Sequence, residues 1–501
     1  MKSYLFFLYS KYIVNSELAK HVDATSIQDQ FLLNTVAQAS NTEYGRDYNF
    51  SEINSTTEFR TNIPLCFYED LITYIEQVKI GKKKILTNQK IAYLLMTSGT
   101  SAGTKYIPIT KSGIAHQIDA AKKLLCFYSV AKGNANFLNG KMLFLQGSPK
   151  LEHEYKIPTG RLSGIVYHHI PTFFQKNKLP SYAINIIENW QEKIRRIKEE
   201  IIGKNITVFG GIPPWCLQFW EMICIEQRIE NLKCIYPNLS LYIYGGVDYS
   251  PYKAAIQKVL GESVDIMQTF PASEGFFGIQ DRLDSDDMIL LIDQGIYYEF
   301  IPIDFVDQSQ PETVMLNEVE LQKKYELVIT NGAGLWRYRM GDLVEFTSLM
   351  PYRIRVIGRT SQFISAFGEH VIGVEIETTI AEAIDHFNLN IEDYHVSPNM
   401  NHKCYEWRIE WKNEPENLSV IEAFLDQILA SKNKYYQHLI TGSIIRPCRI
   451  ISLPSGSFQN IRSKNNKEGG QNKVIRLSNN DNFSKQFLVS TIFYSTFCFF
   501  L

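Results

Sequence analysis

The sequence predicts an α/β protein: a large N-terminal α/β domain carrying a β-rich subdomain, then a smaller C-terminal α+β domain. Three observations carry this reading. From about Ile91, short apolar segments (IAYLLMT, KMLFLQG, NITVFGG, LSLYIYGG, VDIMQTF) alternate with amphipathic helical stretches, the pattern of a sheet with crossover helices. Three further strand-like segments, GIYYEFIPI, YELVITN and LVEFTSL, follow at hairpin spacing. And 501 residues exceed the usual size of one hydrophobic core.

The N-terminal stretch MKSYLFFLYSKYIV is interrupted by Lys11 and lacks a small-residue cleavage site, so it reads as an amphipathic first helix rather than a signal peptide. Helices are expected around Ile27–Ser40 and Phe67–Ile80, with Ile63-Pro64 breaking between them. After the strand–helix alternation, VIGRTSQFIS (356–365) interrupts two apolar strands with Gly358 and the polar residues 359–362, as a hinge would. The expected domains are therefore 1–357 and 358–483. In the second, GVEIETTIAEAIDHF reads as a helix, YEWRIEW as a half-exposed alternating strand, and VIEAFLDQILASKNKYYQHL as another helix. Residues 484–501 form an apolar tail whose last stretch, FLVSTIFYSTFCFFL, is shorter than the roughly 20 residues that span a bilayer. It could be a buried strand, an aggregation-prone end or an altered reading frame.

Composition narrows the function class. A formal charge of −2 argues against a phosphate-backbone binder, which would show a basic stripe. The run Lys82–Lys84 reads as a solvated turn. Eight cysteines stand singly, without a C-x-x-C pair or a His cluster at zinc spacing, which fits reduced thiols in a cytoplasmic protein. His168 and His169 are adjacent and, in a strand, would face opposite ways.

Four stretches carry chemistry. In TSGTSAGTK (97–105), Gly99 and Gly103 let backbone N–H groups turn inward. Thr97, Ser98, Thr100, Ser101 and Thr104 add hydroxyl donors and Lys105 a charge, together an anion-binding nest. It is not the Walker loop, and alone it is as readily a flexible surface loop. In VDIMQTFPASEGFFGIQ a strand enters Ala272-Ser273-Glu274-Gly275, where a glutamate could ligate a Mg²⁺ that bridges phosphates; by itself a structural turn is the better reading. In LWRYRMGDLVEF, Arg337 and Arg339 would share one strand face and Asp342 could accept both hydroxyls of a ribose, against the plainer reading of a surface salt bridge. In GGQNKVIRL a glycine pair frees a loop bearing Lys473, whose default reading is a solvated lysine.

In this order the four resemble an adenylate-forming (acyl-activating) enzyme, and specifically the auxin-responsive-promoter family of acyl acid–amido synthetases. The phosphate loop is matched by residues 97–105, the Ser-Glu-Gly motif by Ala272–Gly275, and the Tyr-Arg-x-Gly-Asp motif by Tyr338–Asp342. The hinge motif is echoed in GRTSQFISAFGEHVIGVEIE, and YIYGGVDYSPY (242–252) is similar to the segment lining the adenine pocket. The resemblance runs from about residue 30 to about Asn480, nearest to bacterial members, although Ile475 stands where their tails carry proline.

The resemblance implies the adenylate-forming fold with a large N-terminal and a small, mobile C-terminal domain, ATP with Mg²⁺, and a carboxylic acid and an amine, expected to be an amino acid, as substrates. It implies no covalent enzyme nucleophile. Ser98, Gly99, Thr100, Ser101, Gly103 and Lys105 would hold the β/γ-phosphates. Glu274 would ligate the metal, and Ser273, beside Ala272, would approach the α-phosphate. Asp342, in the motif beginning at Tyr338, would grip the ribose. Gly246 and Val247 would lie against adenine with Phe270 nearby, and Arg359 would sit at the hinge. Lys473, brought in by rotation of the small domain, would bridge the carboxylate and α-phosphate. The competing readings are an acyl-CoA ligase using the same adenylation step and a non-catalytic nucleotide-binding relic; membrane attachment through the tail is weaker. A monomer without nucleic-acid partners is expected. TGRLSGIVYHHIP (159–171) suits a hydrophobic acyl pocket, or ordinary core packing.

Overall fold

The structure is a computed structural model and describes residues 2–98, 104–170, 175–187, 189–246, 249, 252–360, 363–364, 366–367, 371–441, 445–464, 475–478, 483–484 and 487. The chain separates into two compact units, Met1–Met340 with Val344–Val356 and Gly341–Leu343 with Ile357–Leu501.

In chain order the strands of the first part are β1 Ile91–Ser98, β2 Thr104–Thr110, β3 Lys141–Leu145, β4 Thr159–Gly160, β5 Lys178–Leu179, β6 Ile206–Gly211, β7 Leu241–Gly245 and β8 Asp265–Pro271. They continue with β9 Phe276–Ile279, β10 Met288–Leu290, β11 Ile296–Pro302, β12 Val314–Met315, β13 Lys324–Asn331, β14 Tyr338–Leu349 and β15 Tyr352–Arg359. Twelve of them form one sheet in the order β12-β11-β13-β14-β15-β10-β9-β8-β7-β6-β3-β5. The run β8-β7-β6-β3-β5 is parallel throughout, and the direction reverses at β8–β9, which pair antiparallel. The expected alternation of strand and helix thus builds the parallel half, and the hairpin-spaced segments build the antiparallel half, where β11 and β13 pair over seven registered residues.

One expectation is corrected. IAYLLMT does not join the large sheet: β1 pairs antiparallel with β2 and parallel with β4 in a sheet of three strands. An apolar strand buries equally well in either place, and its pairing partner is chosen by tertiary contacts that local pattern does not encode.

The parallel strands are buried on both faces. On one side Leu143, Phe209, Tyr242 and Tyr244 pack with helices Trp190–Ile201, Pro213–Gln227 and Lys253–Leu260. On the other, Met142, Val208, Leu241 and Met267 pack with helices Lys2–Lys20 and Lys111–Ala131. A sheet covered on both faces leaves its strand ends as the place for a ligand. The antiparallel half is cored by Trp336, Tyr298, Phe300 and Phe346 beneath helices Ala24–Ala39 and Tyr68–Lys79, close to the expected 27–40 and 67–80. His168 and His169 end a helix, Leu162–His169, rather than sitting in a strand.

The second unit contains β16 Phe363–Ile364 and β17 Val371–Ile372, which pair antiparallel. It also holds a sheet of β18 Asn390–Asn399, β19 Cys404–Asn413 and β20 Arg449–Leu453, with helices Gly373–Phe387 and Leu418–Lys432. YEWRIEW was expected to be half exposed. It is the middle strand, β19, buried from Cys404 to Trp411, because its polar face is internally satisfied. Glu406 pairs with Arg408, and Glu410 accepts the N–H groups of Gly456 and Phe458. The long helix expected over 420–439 is two, broken at Asn433, whose Oδ1 caps the second by accepting from Tyr436 N–H at 2.9 Å. Of the expected tail, Ser484 hydrogen-bonds Ser397 and Phe487 packs on Phe458; 488–501 lie outside the described residues.

Candidate active site

The turn between β8 and β9 is where the large sheet changes from parallel to antiparallel, and it carries Ala272, Ser273 and Glu274. A tight turn closes it: Ala272 N–H donates to Gly275 O at 2.7 Å. Two side chains then hold the turn's backbone. Gln117, on helix Lys111–Ala131, donates to Ala272 O at 3.0 Å. Asn331, the last residue of β13, donates to Glu274 O at 2.8 Å while its Oδ1 accepts from Ala333 and Leu335 N–H. Both are nearly buried, so each bond is shielded from water and its geometry is fixed.

Ser273 and Glu274 line a pocket of about 190 Å³ together with Thr110, Ser112, His116, Gln117, Gln294 and Asn331. Thr110 caps the helix at its floor, its Oγ1 accepting Gly113 N–H at 3.1 Å. Burial pushes the His116 imidazole below its ordinary range, against the opposing pull of Asp293 and Asp119.

The phosphate-loop candidates divide. Ser98 ends β1, paired in register with Thr104, while Gly99, Thr100, Ser101 and Gly103 lie outside the described residues. Lys105, opposite Thr97 on β2, places Nζ 3.5 Å from Glu69 and 5.1 Å from the Tyr68 ring centre. Its charge is therefore balanced at the start of helix Tyr68–Lys79.

Of the adenine candidates, Gly246 follows β7 with φ +80°, a backbone conformation that a side chain would strain although there is open space for one. Val247 lies outside the described residues. Phe270 is a core residue of β8, its ring 4.9 Å from that of Phe277. Tyr338 opens β14, is buried, and bridges to Cys66.

Asp342 and Arg359 belong to the second unit, and the structure brings them together. The guanidinium donates Nε to Oδ1 and Nη2 to Oδ2, each at 2.9 Å, a bidentate pair. Gly341 before it takes φ +71°. Lys473 lies outside the described residues.

Arg337 and Arg339 do not form the strand face expected of them. Arg337 precedes β14 with φ +45° and donates to Glu299, Thr313, and the carbonyls of Arg60 and Ile63. Arg339 pairs with Glu326 and donates to Val306 O. Both pairs are buried and brace β14 against β11 and β13, where loss of one partner would cost about 3–5 kcal/mol.

Sequence reasoning missed Gln117 and Asn331. Asn331 had a signal: an asparagine between an apolar strand and Gly-Ala-Gly is placed to accept backbone N–H groups two residues on. Gln117 had none, being one polar position among many on an amphipathic helix.

Models of three GH3 family domains match the chain: the N-terminal domain over residues 17–183, the central domain over 289–359 and the C-terminal domain over 374–482. The chain belongs to the GH3 family. Among its GH3 relatives are the jasmonoyl–L-amino acid synthetase JAR4 of Nicotiana attenuata, 24% identical over 394 residues (64% of this chain, 67% of that protein), and the indole-3-acetic acid-amido synthetase GH3.3 of Arabidopsis thaliana, 22% identical over 529 residues (89% and 87%). The fold is that of the AtGH3.15 acyl acid amido synthetase solved with 2,4-DB, at TM-score 0.77, 17% identity and 96% coverage of both chains. A more distant likeness is to 2-hydroxyisobutyryl-CoA ligase in complex with 2-HIB-AMP, at TM-score 0.59, 12% identity and 94% and 92% coverage. The family resemblance and the adenylate-forming fold expected from the motifs are therefore both found.

Proposed function

We propose that this GH3 protein is an ATP-dependent acyl acid–amido synthetase. The observation that carries the reading is that all three GH3 domains are matched in order along a chain whose Ser273–Glu274 turn is built rigidly at the reversal point of the sheet. In the proposed reaction a carboxylate oxygen attacks the α-phosphate of ATP, pyrophosphate leaves, and an acyl-adenylate forms. The nitrogen of an amine then attacks the acyl carbon, AMP leaves, the nitrogen loses a proton, and an amide remains.

Each residue has a bounded task. Ser98, Thr100, Ser101 and Lys105 hold the β/γ-phosphates, with Gly99 and Gly103 allowing close backbone approach. Ser273 orients the α-phosphate for in-line attack. Gly246, Val247 and Phe270 border the adenine, and Asp342 accepts from the ribose hydroxyls, releasing part of its bond to Arg359. Lys473 neutralises charge that builds between carboxylate and phosphate.

A Mg²⁺ fits the residues present in one way. Among the described residues no group of three or more His, Cys, Asp or Glu side chains stands ready for a metal, so Glu274 would supply one hard oxygen and phosphates and water the rest. Bound there, the ion would polarise the phosphate oxygens. A rigid turn suits this, because a single protein ligand positions an ion only if its own backbone is fixed. Among the described residues no helix is long and apolar enough to cross a membrane, and the proposed setting is the cytoplasm, with the protein a monomer.

The test is a pyrophosphate-release screen of carboxylic acids against amino acids and, in parallel, coenzyme A. Amide and AMP are expected with at least one acid–amino acid pair. Thioester formed with coenzyme A, and no amide with any amine, would overturn the assignment in favour of a ligase of the acyl-CoA type.

A further inference from the structure

Beyond the carboxyl ends of β3 and β5 lies a polar cluster that the adenylation machinery does not use. Lys193, on helix Trp190–Ile201, is 3% exposed, and among the described residues its ammonium donates only to the carbonyls of Gln146 (3.0 Å) and Asn185 (2.8 Å). An ammonium has three N–H donors, so one is unspent. Asn185 is fully buried, and among the described residues neither its Nδ2 nor its Oδ1 has a hydrogen-bond partner, nor does Gln146 Nε2. Arg161, at the start of helix Leu162–His169, runs along Gly147: a Cβ at that glycine would lie 3.1 Å from the arginine's Cδ. No carboxylate among the described residues pairs with either cation.

Such an arrangement is costly as it stands. A buried charge is ordinarily paired, and buried amides are ordinarily satisfied. Burial, with Arg161 nearby as the lesser cause, pushes the Lys193 ammonium down to about 8, the direction of a charge in want of a counter-ion. An oxygen-rich anion is the group whose chemistry matches these donors: it would take the third lysine N–H, the two amide N–H groups and the guanidinium. Asn185 Oδ1 would accept from a hydroxyl or N–H borne beside it.

We propose that Gln146, Asn185 and Lys193, with Arg161, form a carboxylate-binding subsite that selects one of the two substrates of the proposed reaction. This rests on the amido synthetase reading and makes it more specific. The cluster is on the carboxyl edge of the same parallel strands as Gly246 and Ser273, the edge where such sheets bind ligands. From β8 to β3 is three strand spacings, about 14 Å along that edge. A substrate reaching it is extended and carries a carboxylate that does not react. That carboxylate comes either from a dicarboxylic acyl acid or from the α-carboxylate of the amino acid acceptor. A purely hydrocarbon acid, which the sequence of 159–171 suggested, leaves these donors unmet.

Two kinetic arms separate the sources. Pyrophosphate exchange compares adipate with hexanoate and phthalate with benzoate, with no amine present. Amide formation compares amino acids with their carboxamides. In one arm the partner bearing the extra carboxylate should be preferred by at least about tenfold in kcat/KM, and that arm names the source. Lys193→Met and Asn185→Asp should each collapse the preference to within about twofold. The aspartate is isosteric and gives Lys193 an internal partner, so this variant keeps the fold and should melt no lower than the parent. No preference in either arm, or a preference that survives both variants, overturns the proposal.

A third measurement is independent of turnover. Crystals of the full chain soaked in sodium bromide should show an anomalous peak beside Lys193 Nζ that is absent in Asn185→Asp. If no acid supports exchange but the bromide site is present, the synthetase reading fails and the anion site stands. If exchange occurs and no bromide binds there, the anion site fails.

Discussion

Asn331→Asp is the sharpest probe of the reversal turn, because it changes one hydrogen bond of three. The Oδ1 that accepts from Ala333 and Leu335 N–H, at 3.0 and 3.2 Å, is retained, and so is the shape of the side chain. The N–H donor to Glu274 O at 2.8 Å becomes a second acceptor facing an acceptor. Losing a neutral hydrogen bond costs about 1 kcal/mol net, and leaving the Glu274 carbonyl unsatisfied raises this to about 2 kcal/mol. Against that, the two retained bonds become charge-assisted and return about 0.5–1 kcal/mol. The global effect is therefore small, about 1–1.5 kcal/mol by urea unfolding. The local effect is larger, since the turn that carries Glu274 is released on one side. A loss of about 10–100-fold in kcat for pyrophosphate exchange is expected, equal to about 1.4–2.8 kcal/mol, together with a higher Mg²⁺ requirement. Asn331→Ala, which removes all three bonds, should cost about 3 kcal/mol of stability but no more activity than the aspartate. If Asn331→Asp lowers stability while exchange and its Mg²⁺ titration match the parent, the turn does not position Glu274, and the reasoning is refuted.

Three further outcomes are expected. Asp342→Ala should raise KM for ATP about tenfold while costing under about 1 kcal/mol of stability, because its partner Arg359 is 41% exposed and is rehydrated; an unchanged KM removes the ribose assignment. Lys473→Ala should suppress acid-dependent exchange by at least about 10²-fold with unaltered melting, whereas undiminished exchange makes it surface charge. Acid should destabilise both units through one histidine each. Burial holds His21 and His395 down at about 4, and His21 Nδ1 must stay unprotonated to accept Tyr352 N–H at 3.1 Å. The unfolded chain binds these protons first, so stability is full above about pH 6.5 and falls as pH drops toward 4, by up to about 3 kcal/mol per histidine. Melts of His21→Gln and His395→Gln between pH 7 and 4.5 should each be flatter than the parent, and an equal slope would exclude the histidines as the cause.

The parts of this molecule legible in sequence were those set by local pattern. Val208 and Phe209, or Leu241 and Tyr242, are apolar on both faces because helices cover both sides of a parallel sheet, and that reads directly as a continuous apolar run. Partner choice was not legible: nothing in Leu94 and Leu95 says that they pair with Ile107 and Pro108 in a separate sheet. Buried charge misled in the same way. Glu406, Arg408 and Glu410 alternate along β19 as a solvated face would, but each is satisfied from outside its own strand or by its neighbour. Among the candidate site residues, Ser273, Glu274 and Asp342 stand out in the sequence because motif spacing survives in one dimension. Gln117 and Asn331 act from 155 and 57 residues away, and such separations leave no linear trace.

The placement of the reversal turn has a consequence for how this protein can change. Lys193 stands on helix Trp190–Ile201, whose Ile194 and Ile197 belong to the core of Leu143, Phe209 and Trp220, while Asn331, which holds the Glu274 carbonyl, stands on β13, whose Leu327 and Ile329 belong to the core of Trp336 and Phe300. Substitutions that far apart with no shared neighbours combine additively. Drift at one end of the sheet is therefore invisible to the other, and under the proposed assignment a lineage could exchange one acid or amine for another without renegotiating the chemistry that activates it.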